Sequence, residues 1–297
     1  MAQPFVKWAG GKAKLAPLIA ESLPATPNRY FEPFAGGGAV YFELESRGLL
    51  HEANLNDLNG ALTEAYTVVR DQVEPLIAAL RPISRLYLEH PQQERAAMFY
   101  RIRRAPADDP VERAARLIFL NRTCFNGLFR VNRRGEFNVP HGTYSKPRIL
   151  DSTRLREASR ALQAVTITSR DFEELCGQAG PGDFVYLDPP YQPLSATASF
   201  TSYTGQSFTA DDQRRLAECV ARMSQRGALV MVSNSAHPFI EELYAGFYRR
   251  TVKMSRAINS AGHGRAPIDE LLITNWDTDL DRGPTVREGT TAGAPGT

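Results

Sequence analysis

An uninterrupted apolar run, Phe184–Leu187, closed by two consecutive prolines most constrains what this chain can fold into. Four apolar residues without polar alternation are typical of a strand buried on both faces, as in the sheet of an open α/β fold. The next four residues, Asp188–Tyr191, then lie at the carboxyl end of that strand. Open α/β sheets bind their ligands at this edge, so the sequence predicts a ligand site here.

The tetrapeptide Asp188–Tyr191 combines a carboxylate, a rigid turn and an aromatic ring. Pro190 restricts Pro189 to extended backbone, which limits the directions in which the Pro189 carbonyl can point. A planar amine bound there would meet one oxygen acceptor on Asp188, a second on the Pro189 backbone, and the ring of Tyr191 to stack on. The sequence therefore predicts a pocket for the exocyclic amino group of an aromatic base, with Asp188, Pro189, Pro190 and Tyr191 as its catalytic residues.

Strand and helix patterns alternate on both sides of a helix-rich segment. Strands are predicted at Tyr30–Pro33, Ala53–Asn56, Val165–Thr168, Phe184–Leu187, Leu229–Ser233, Tyr248–Met254 and Glu270–Asn275. Helices are predicted at Ala39–Arg47, Ala61–Val69, Pro75–Leu80, Glu94–Ile102, Val111–Leu120, Thr153–Leu162, Asp211–Met223 and Pro238–Tyr244, with a hairpin around Asn132–Phe137. This order predicts a doubly wound α/β domain (residues 1–57 and 147–280) interrupted by a mostly helical insertion (residues 58–146). The Gly-, Thr- and Pro-rich tail, residues 281–297, is expected to be disordered.

Composition excludes little. The 297 residues are 42% hydrophobic and 23% charged, with a formal charge of +2 that is too small to indicate a nucleic-acid partner. Arginines are frequent between Arg95 and Arg134, but on charge alone a solvated helix face explains such a run better than a nucleic-acid surface. The three cysteines have no metal-ligand spacing, and no secretory signal or membrane-spanning run is visible. The sequence predicts a soluble cytoplasmic protein with reduced thiols and no metal.

The first strand-to-helix turn contains three consecutive glycines, Gly36–Gly38, after Glu32. Glycines allow a tight turn and let a ligand approach the backbone. The spacing is not that of the dinucleotide fingerprint, so a pyrophosphate is not indicated. Glu32 can accept a hydrogen bond from an amine, which suits a cationic ligand better than a phosphate.

Asp57 follows the second strand, where nucleotide-binding α/β folds place the carboxylate that binds ribose hydroxyls. A helix N-cap is the alternative. Asp171 and Phe172 follow the third strand and either contact an adenine edge or begin a helix. A glycine turn and a ribose carboxylate without a phosphate signature indicate a nucleoside ligand, for which S-adenosylmethionine is the best candidate. Near the amino terminus, Lys12 is able to pair with a carboxylate and Trp8 to pack on an apolar or cationic group, although taken alone this motif is better explained as a surface loop.

Five segments occur in one order: Lys7–Lys12, Glu32–Gly38, Asn126–Leu128, Arg134–Pro140 and Asp188–Tyr191. In this order they resemble the Dam family of bacterial DNA adenine methyltransferases, which methylate adenine N6 within GATC. The tract from Asp188 to Thr201 is similar almost residue for residue, and so is Asp269–Leu272. The resemblance extends from Phe5 to Trp276.

The resemblance implies a Rossmann-like methyltransferase sheet with an inserted, mostly helical target-recognition domain. It and the reasoning above give a cofactor site for S-adenosylmethionine made of Trp8, Lys12, Glu32, Phe34, Ala35, Gly36, Gly38, Asp57, Asp171, Phe172 and Asp188. The resemblance also implies that double-stranded DNA is bound by Lys7, Arg122, Phe125, Asn126, Leu128, Arg130, Asn138, Pro140 and Tyr144. Of these, Phe125 matches an aromatic wedge that enters the opened duplex, and Lys7, Asn126, Leu128, Arg130 and Pro140 match positions that read bases.

Two positions depart from the family pattern. The wedge is usually Tyr but here is Phe125, which keeps the stacking area and loses the hydroxyl. Thr143 stands where relatives carry an arginine, so target preference or affinity is open. The expected activity is methyl transfer to adenine N6 in duplex DNA, after the base is flipped out of the stack. In this context the arginines between Arg95 and Arg134 are expected to form a DNA surface and not a solvated helix face.

Two other functions are weaker alternatives. A methyltransferase that acts on RNA or on protein glutamine more often has Asn at the position of Asp188. A catalytically silent DNA-binding regulator has no need of the intact glycine turn and Asp188–Tyr191. The enzyme is expected to be a monomer of bacterial or phage origin, associated with the nucleoid, and the sequence leaves open whether a partner restriction endonuclease exists.

Overall fold

The computed structural model describes residues 1–132, 134–191, 208–254 and 268–278. The strands in these ranges are β1 (Tyr30–Glu32), β2 (Ala53–Asn56), β3 (Val165–Thr168), β4 (Phe184–Leu187), β5 (Leu229–Ser235), β6 (Tyr248–Met254) and β7 (Ile268–Thr274). The helices are α1 (Ala16–Glu21), α2 (Ala39–Ser46), α3 (Gly60–Asp71), α4 (Val73–Glu89), α5 (Gln92–Arg104), α6 (Pro110–Thr123), α7 (Ser152–Ala161), α8 (Phe172–Cys176), α9 (Ala210–Gln225) and α10 (Pro238–Leu243). The tail predicted to be disordered lies outside the described residues, and none of the described helices is long and apolar enough to cross a membrane.

The seven strands form one sheet in the order β3-β2-β1-β4-β5-β7-β6. The first five strands of that order pair in parallel, and β7 is antiparallel to both β5 and β6. The chain winds outward in one direction from β1 and, after β4, in the other. This confirms the predicted doubly wound α/β fold. It also puts the topological switch point, where such sheets bind ligands, between β1 and β4.

The register of the two central strands brings the two predicted motifs together. Tyr30 of β1 lies beside Phe184 of β4, and Phe31 beside Val185. All residues of both strands are buried, as the apolar pattern of β4 predicts. Because the strands are parallel and in step, the turn that follows β1 and the turn that follows β4 emerge side by side.

Alternate residues of these strands enter two hydrophobic clusters on opposite faces of the sheet. Tyr30, Phe184 and Tyr186 belong to the larger cluster, which continues into buried residues of α3 to α6 such as Phe99 and Phe119. The other face is covered by α8, α9 and α10. The helical insertion therefore shares its core with the sheet, and its division into a separate domain at residues 58–146 stays a prediction.

Beyond α6 the chain forms a short 3-10 turn at Phe125–Gly127 and then a ribbon. The bridge between Val131 and Phe137 confirms the predicted hairpin. A second bridge joins Cys124 to His141 and fixes the ribbon to the end of α6. We refer to the 3-10 turn and the ribbon as far as His141 as the recognition segment, after the role that the family resemblance implies for it.

Candidate functional site

The glycine turn after β1 is tied to the end of β2. The amide of Gly36 donates to the carboxylate Oδ2 of Asp57 at 2.9 Å, and the amide of Ala35 donates to the Asn56 carbonyl at 2.8 Å. Gly36 and Gly38 have left-handed backbone, with φ of 49° and 67°. A Cβ at Gly36 would lie 2.8 Å from the indole of Trp8, so the glycine is required for the close packing of that ring.

The carboxylate of Asp57 accepts hydrogen bonds from two backbone amides and does not cap a helix. Besides Gly36, the amide of Asn59 donates to its Oδ1 at 2.9 Å, while Asn59 itself is the N-cap of α3. The helix-cap alternative for Asp57 is therefore wrong, because α3 begins at Gly60. Burial raises the pKa of the Asp57 carboxyl, and the two amide hydrogen bonds partly counteract this effect.

Glu32 is the most deeply buried acid of this edge, with 2% of its surface exposed. The hydroxyl of Tyr30 donates to its Oε2 at 2.9 Å. Burial, helped by the nearby carboxylates of Asp188 and Asp57 and partly opposed by hydrogen bonds such as that from Tyr30, raises the pKa of Glu32 to about 8. A cationic ligand at this edge would favour the ionised form of Glu32, which matches the chemistry predicted for the turn.

Of the two interpretations of Asp171 and Phe172, the structure confirms the start of a helix, and the contact with an adenine edge stays a prediction. Asp171 is the N-cap of α8, accepting from the amide of Glu173 at 3.0 Å, and it is also bound by Arg215 at 3.0 Å. Phe172 packs against Phe34, with ring centres 5.5 Å apart. Asp171, Phe172, Phe34 and Arg215 all line one cavity with the glycine turn.

The turn after β4 is held by its neighbours in the sheet and by the amino-terminal loop. The carboxylate Oδ1 of Asp188 takes the ammonium of Lys12 at 2.9 Å and the hydroxyl of Ser233 at 2.8 Å. Among the described residues no donor reaches the other oxygen of Asp188. Lys12 is 5% exposed, and its ammonium also donates to the Gly10 carbonyl at 2.7 Å. One carboxylate oxygen is thus fixed and the second is left to accept from a ligand.

Two further contacts hold the same turn. Gln213 of α9 donates to the Pro190 carbonyl at 3.0 Å, and Asn234 of β5 donates to the Gln213 side-chain carbonyl at 3.1 Å. The hydroxyl of Tyr191 donates to Glu270 of β7 at 2.9 Å. The similar tract beyond Tyr191, Gln192–Thr201, lies outside the described residues.

Sequence reasoning missed most of these supporting residues. Ser233, Gln213, Asn234 and Arg215 are polar residues on elements read only as strand or helix, and nothing local to them indicates a site. Glu270 lies in the tract that carries the family resemblance, but no role had been assigned to it. A signal exists only in three dimensions, where Ser233, Gln213 and Glu270 converge on the Asp188–Tyr191 turn and Arg215 converges on Asp171.

The cavity between the two turns has a volume of about 410 Å³, within the usual range for a small-molecule site. Its walls include all of the predicted cofactor residues, namely Trp8, Lys12, Glu32, Phe34, Ala35, Gly36, Gly38, Asp57, Asp171, Phe172 and Asp188. Four of these are acids and one is a lysine already paired with an acid. Such a wall suits a ligand with a positive charge, hydroxyl groups and an aromatic ring, so the residues fit S-adenosylmethionine.

The predicted DNA-binding residues gather at the recognition segment and the amino-terminal loop. The buried side chain of Asn121 joins the two, accepting from the Lys7 amide at 2.7 Å and donating to the Gly127 carbonyl at 3.1 Å. The ammonium of Lys7 lies 4.3 Å from the ring centre of Tyr144. Phe125 is 43% exposed, and its amide donates to the Pro140 carbonyl at 2.9 Å.

Other members of the predicted DNA set differ in exposure. Arg130 is exposed, and its Nε donates to the side chain of Asn138 at 2.7 Å. Asn126 has a left-handed φ of 55°, a strained conformation that turns the chain between Phe125 and Leu128. Arg122 is largely buried and donates to the Phe5 carbonyl at 2.6 Å, so its guanidinium is used to hold the amino-terminal loop.

Several of the arginines between Arg95 and Arg134 make hydrogen bonds and ion pairs that stabilise the fold. Arg113 forms an ion pair with Glu64, and Arg95 donates to the carbonyls of Leu88, His90 and Ser145. Arg103 donates to the Val139 carbonyl, within the recognition segment. The run is thus mainly a brace for the insertion, and the frequency of arginine alone does not mark a DNA surface.

Comparison with known proteins gives consistent matches over almost the whole chain. Residues 8–258 match the family model described as D12 class N6 adenine-specific DNA methyltransferase. A type II methyltransferase, M.MjaIII, of Methanocaldococcus jannaschii is 42% identical over 92% of this chain and 99% of its own length. A type II methyltransferase of Lactococcus lactis, M1.LlaDCHI, is 39% identical over 92% and 95%. A DNA adenine methylase of Escherichia coli K12 is 36% identical over 90% of this chain and 93% of its own length.

Proposed function

Because the chain belongs to the D12 class of N6 adenine-specific DNA methyltransferases, we propose that it acts on adenine within GATC and receives the flipped base at the Asp188–Tyr191 turn. Membership of this family makes the protein an enzyme that methylates adenine N6 in DNA with S-adenosylmethionine as methyl donor. The family resemblance of the recognition segment supports the GATC target. The observation that carries the site assignment is the convergence of Asp188, Tyr191 and the acidic cavity on one edge of the sheet.

The cofactor is proposed to lie across the glycine turn. Asp57 would bind the ribose hydroxyls, Asp171 and Phe172 the adenine end, and Trp8 would cover the turn from above. Glu32 and Lys12 would lie near the charged amino-acid part. When bound there, S-adenosylmethionine supplies a methyl group made electrophilic by its attachment to a positively charged sulfur.

Asp188 and the Pro189 carbonyl are proposed to orient the adenine amino group. Free adenine N6 is a poor nucleophile because its lone pair is delocalised into the ring. Two acceptors outside the ring plane, the free Asp188 oxygen and the Pro189 carbonyl, would favour a pyramidal nitrogen whose lone pair is available. Among the described residues no donor occupies the Pro189 carbonyl, so it is able to serve. The gain is then one of orientation in a direct in-line displacement.

No prior deprotonation is required of Asp188. A carboxylate is far too weak a base to remove a proton from a neutral arylamine. Once the nitrogen has gained the methyl group it is cationic, and it loses a proton readily to the carboxylate or to water. The ion pair with Lys12 and the hydrogen bond from Ser233, both at Oδ1, fix the position of the Asp188 carboxylate.

The recognition segment is proposed to open the duplex and to read its sequence. Flipping a base costs a few kcal/mol, which phosphate and wedge contacts must offset. Phe125 is exposed and would occupy the gap left by the base. Arg130 has the planar fork that suits the O6 and N7 atoms of a guanine in the major groove. Since every group used lies in one chain, a monomer is the proposed acting unit.

The target is tested by sequencing the DNA of Dam-deficient cells that express the protein, with detection of modified adenines. We expect N6-methyladenine in nearly all GATC sites and at background level elsewhere. Methylation confined to another sequence would contradict the GATC proposal while leaving the reaction intact. Purified protein should transfer tritium from labelled S-adenosylmethionine to a GATC duplex and much less to a GTTC control.

A further inference from the structure

The antiparallel strand β7 begins at the edge of the sheet where the parallel strands end. Its residue Glu270 lies opposite Ser235, the last residue of β5. A parallel strand brings its carboxyl end to the ligand edge, whereas an antiparallel neighbour brings its beginning there. Glu270 therefore lies beside the Asp188–Tyr191 turn, although β7 is separated from β4 by β5 in the sheet.

Glu270 contacts the aromatic residue of that turn at its tip. Its Oε2 accepts from the Tyr191 hydroxyl at 2.9 Å. Both side chains are half-buried. Burial raises the pKa of the Glu270 carboxyl, and the ammonium of Lys12 counteracts this effect. The 2.9 Å separation is a normal hydrogen-bond length, so the contact is able to hold the ring.

The same ring is held at a second point. The ammonium of Lys12 lies 4.9 Å from the ring centre of Tyr191 and 2.9 Å from Asp188. One face of the ring therefore meets a cation and its tip meets a carboxylate. A tyrosine fixed only at its Cβ rotates about χ1 and χ2, whereas a bond at the far end of the ring fixes its plane.

We propose that Glu270 is a positioning residue for methyl transfer, which holds the Tyr191 ring by its hydroxyl at the angle on which the flipped adenine stacks. A stacked base follows the plane of the ring beneath it, and that plane sets the position of N6 relative to Asp188. Misplacement by about 1 Å is enough to lower the rate strongly. The inference rests on the proposed role of the Asp188–Tyr191 turn and adds a residue that acts through it.

The test is a double-mutant cycle of Tyr191→Phe and Glu270→Ala, with Glu270→Gln as the conservative variant. Turnover and KM for a GATC duplex are measured at saturating S-adenosylmethionine. A duplex with 2-aminopurine at the target position reports the stacking of the flipped base by fluorescence, and calorimetry with S-adenosylhomocysteine reports the cofactor site. Thermal unfolding identifies any variant that has lost its fold.

Each single variant should lower kcat about tenfold, with KM for DNA and the affinity for S-adenosylhomocysteine nearly unchanged. The double variant should be no slower than either single one, because both remove the same bond. Glu270→Gln should recover most of the rate, since an amide oxygen still accepts from the hydroxyl. The 2-aminopurine signal should be brighter in the two single variants than in the wild type or Glu270→Gln, as stacking is lost.

Three results would overturn the inference: additive losses in the double variant, an unchanged kcat in Glu270→Ala, or a rate for Glu270→Gln as low as for Glu270→Ala. Tyr191→Phe keeps the test decisive even if Glu270→Ala is unstable, because it removes the bond from the other side. The Asp188→Ala variant distinguishes an error in the role of Glu270 from an error in the site assignment. If Asp188→Ala stays active, the Asp188–Tyr191 turn is not the catalytic site, and the proposed role of Glu270 is also wrong.

Discussion

The catalytic edge of the sheet and the recognition segment hold their side chains in opposite ways. At the edge, side chains are fixed at their functional ends: Asp188 by Lys12 and Ser233, and Tyr191 by Glu270. In the recognition segment the backbone is fixed, by Asn121 and the Cys124–His141 bridge, while the ring of Phe125 is exposed. If the proposed roles hold, the reaction geometry is built before DNA arrives, and the proposed reading groups are carried on a fixed backbone with their ends available.

Because of this difference, the DNA target preference is able to change without a change in the methyl-transfer reaction. The catalytic groups share buried partners from β4, β5, β7 and the amino-terminal loop, so any change there disturbs several others. The reading groups have few side-chain partners, of which the Arg130–Asn138 contact is one. The substitutions at Phe125 and Thr143 relative to the family pattern lie in or just beyond the recognition segment, where they leave the sheet edge unaltered.

Asp188→Ala should have the largest effect, because it removes the acceptor on which orientation of N6 depends. We expect kcat to fall by about 10³-fold while S-adenosylhomocysteine still binds. Single-turnover methylation of a GATC duplex and calorimetry measure the two quantities. Asp183→Ala is the matched control, since Asp183 precedes the same strand at its other end and pairs with Arg29. The Asp183→Ala variant should be less stable than the wild type and should keep a kcat near that of the wild type. Near-normal turnover of Asp188→Ala would contradict the prediction, because the fixed side chains of the sheet edge would then not determine the reaction.

Arg130→Ala should have a smaller and more selective effect. The exposed guanidinium is expected to read one guanine, so its loss should reduce discrimination at that base pair by about 1–3 kcal/mol. Competition between GATC and each singly substituted duplex measures this loss position by position. The control Arg134→Ala, exposed in the turn of the same ribbon, should leave the preference unchanged. Equal weakening on all sequences would make Arg130 a phosphate contact, and the reading function would lie elsewhere in the recognition segment.

The sequence predicts the sheet edge well because its signals are local. The apolar run of β4, the glycines after β1 and the position of Asp57 each follow from a few adjacent residues. Helices governed by tertiary contacts are predicted less well: α4 extends from Val73 to Glu89 through Pro82, because residues such as Leu80 and Tyr87 on both sides of the proline are buried. The short helix α1 was not predicted, and α8 was indicated only as an alternative by its cap residue Asp171, since five or six residues give no helical period.

The residues of the candidate site also form two groups, those that local motifs predict and those whose roles depend on tertiary structure. Trp8, Gly36, Asp57 and Asp188 are predicted from motifs and lie on one cavity. Ser233 and Glu270 could not be predicted, because their roles depend on pairing between β5 and β7 and on where an antiparallel strand begins. Residues of the recognition segment were identified by resemblance alone, as an exposed side chain leaves no trace of burial or periodicity in the sequence.

The last prediction concerns the stability of the proposed catalytic edge and not its activity. Burial raises the pKa of Glu32 from 4.5 to about 8. The folded state therefore binds this proton more tightly than the unfolded state, and the stability it contributes is fully present below pH 4.5 and is lost as pH rises through about 8. Glu32→Gln cannot ionise, so its free energy of unfolding relative to the wild type should increase steadily between those limits.

Denaturant unfolding of the ligand-free protein between pH 5 and 9 measures this difference, with the exposed Glu52→Gln as the control that should show no such trend. S-Adenosylmethionine should reduce the trend, because a cation beside Glu32 stabilises its ionised form. A pH-independent difference would mean that Glu32 is ionised throughout, and the catalytic edge would then be assembled without the electrostatic strain that distinguishes it from the recognition segment.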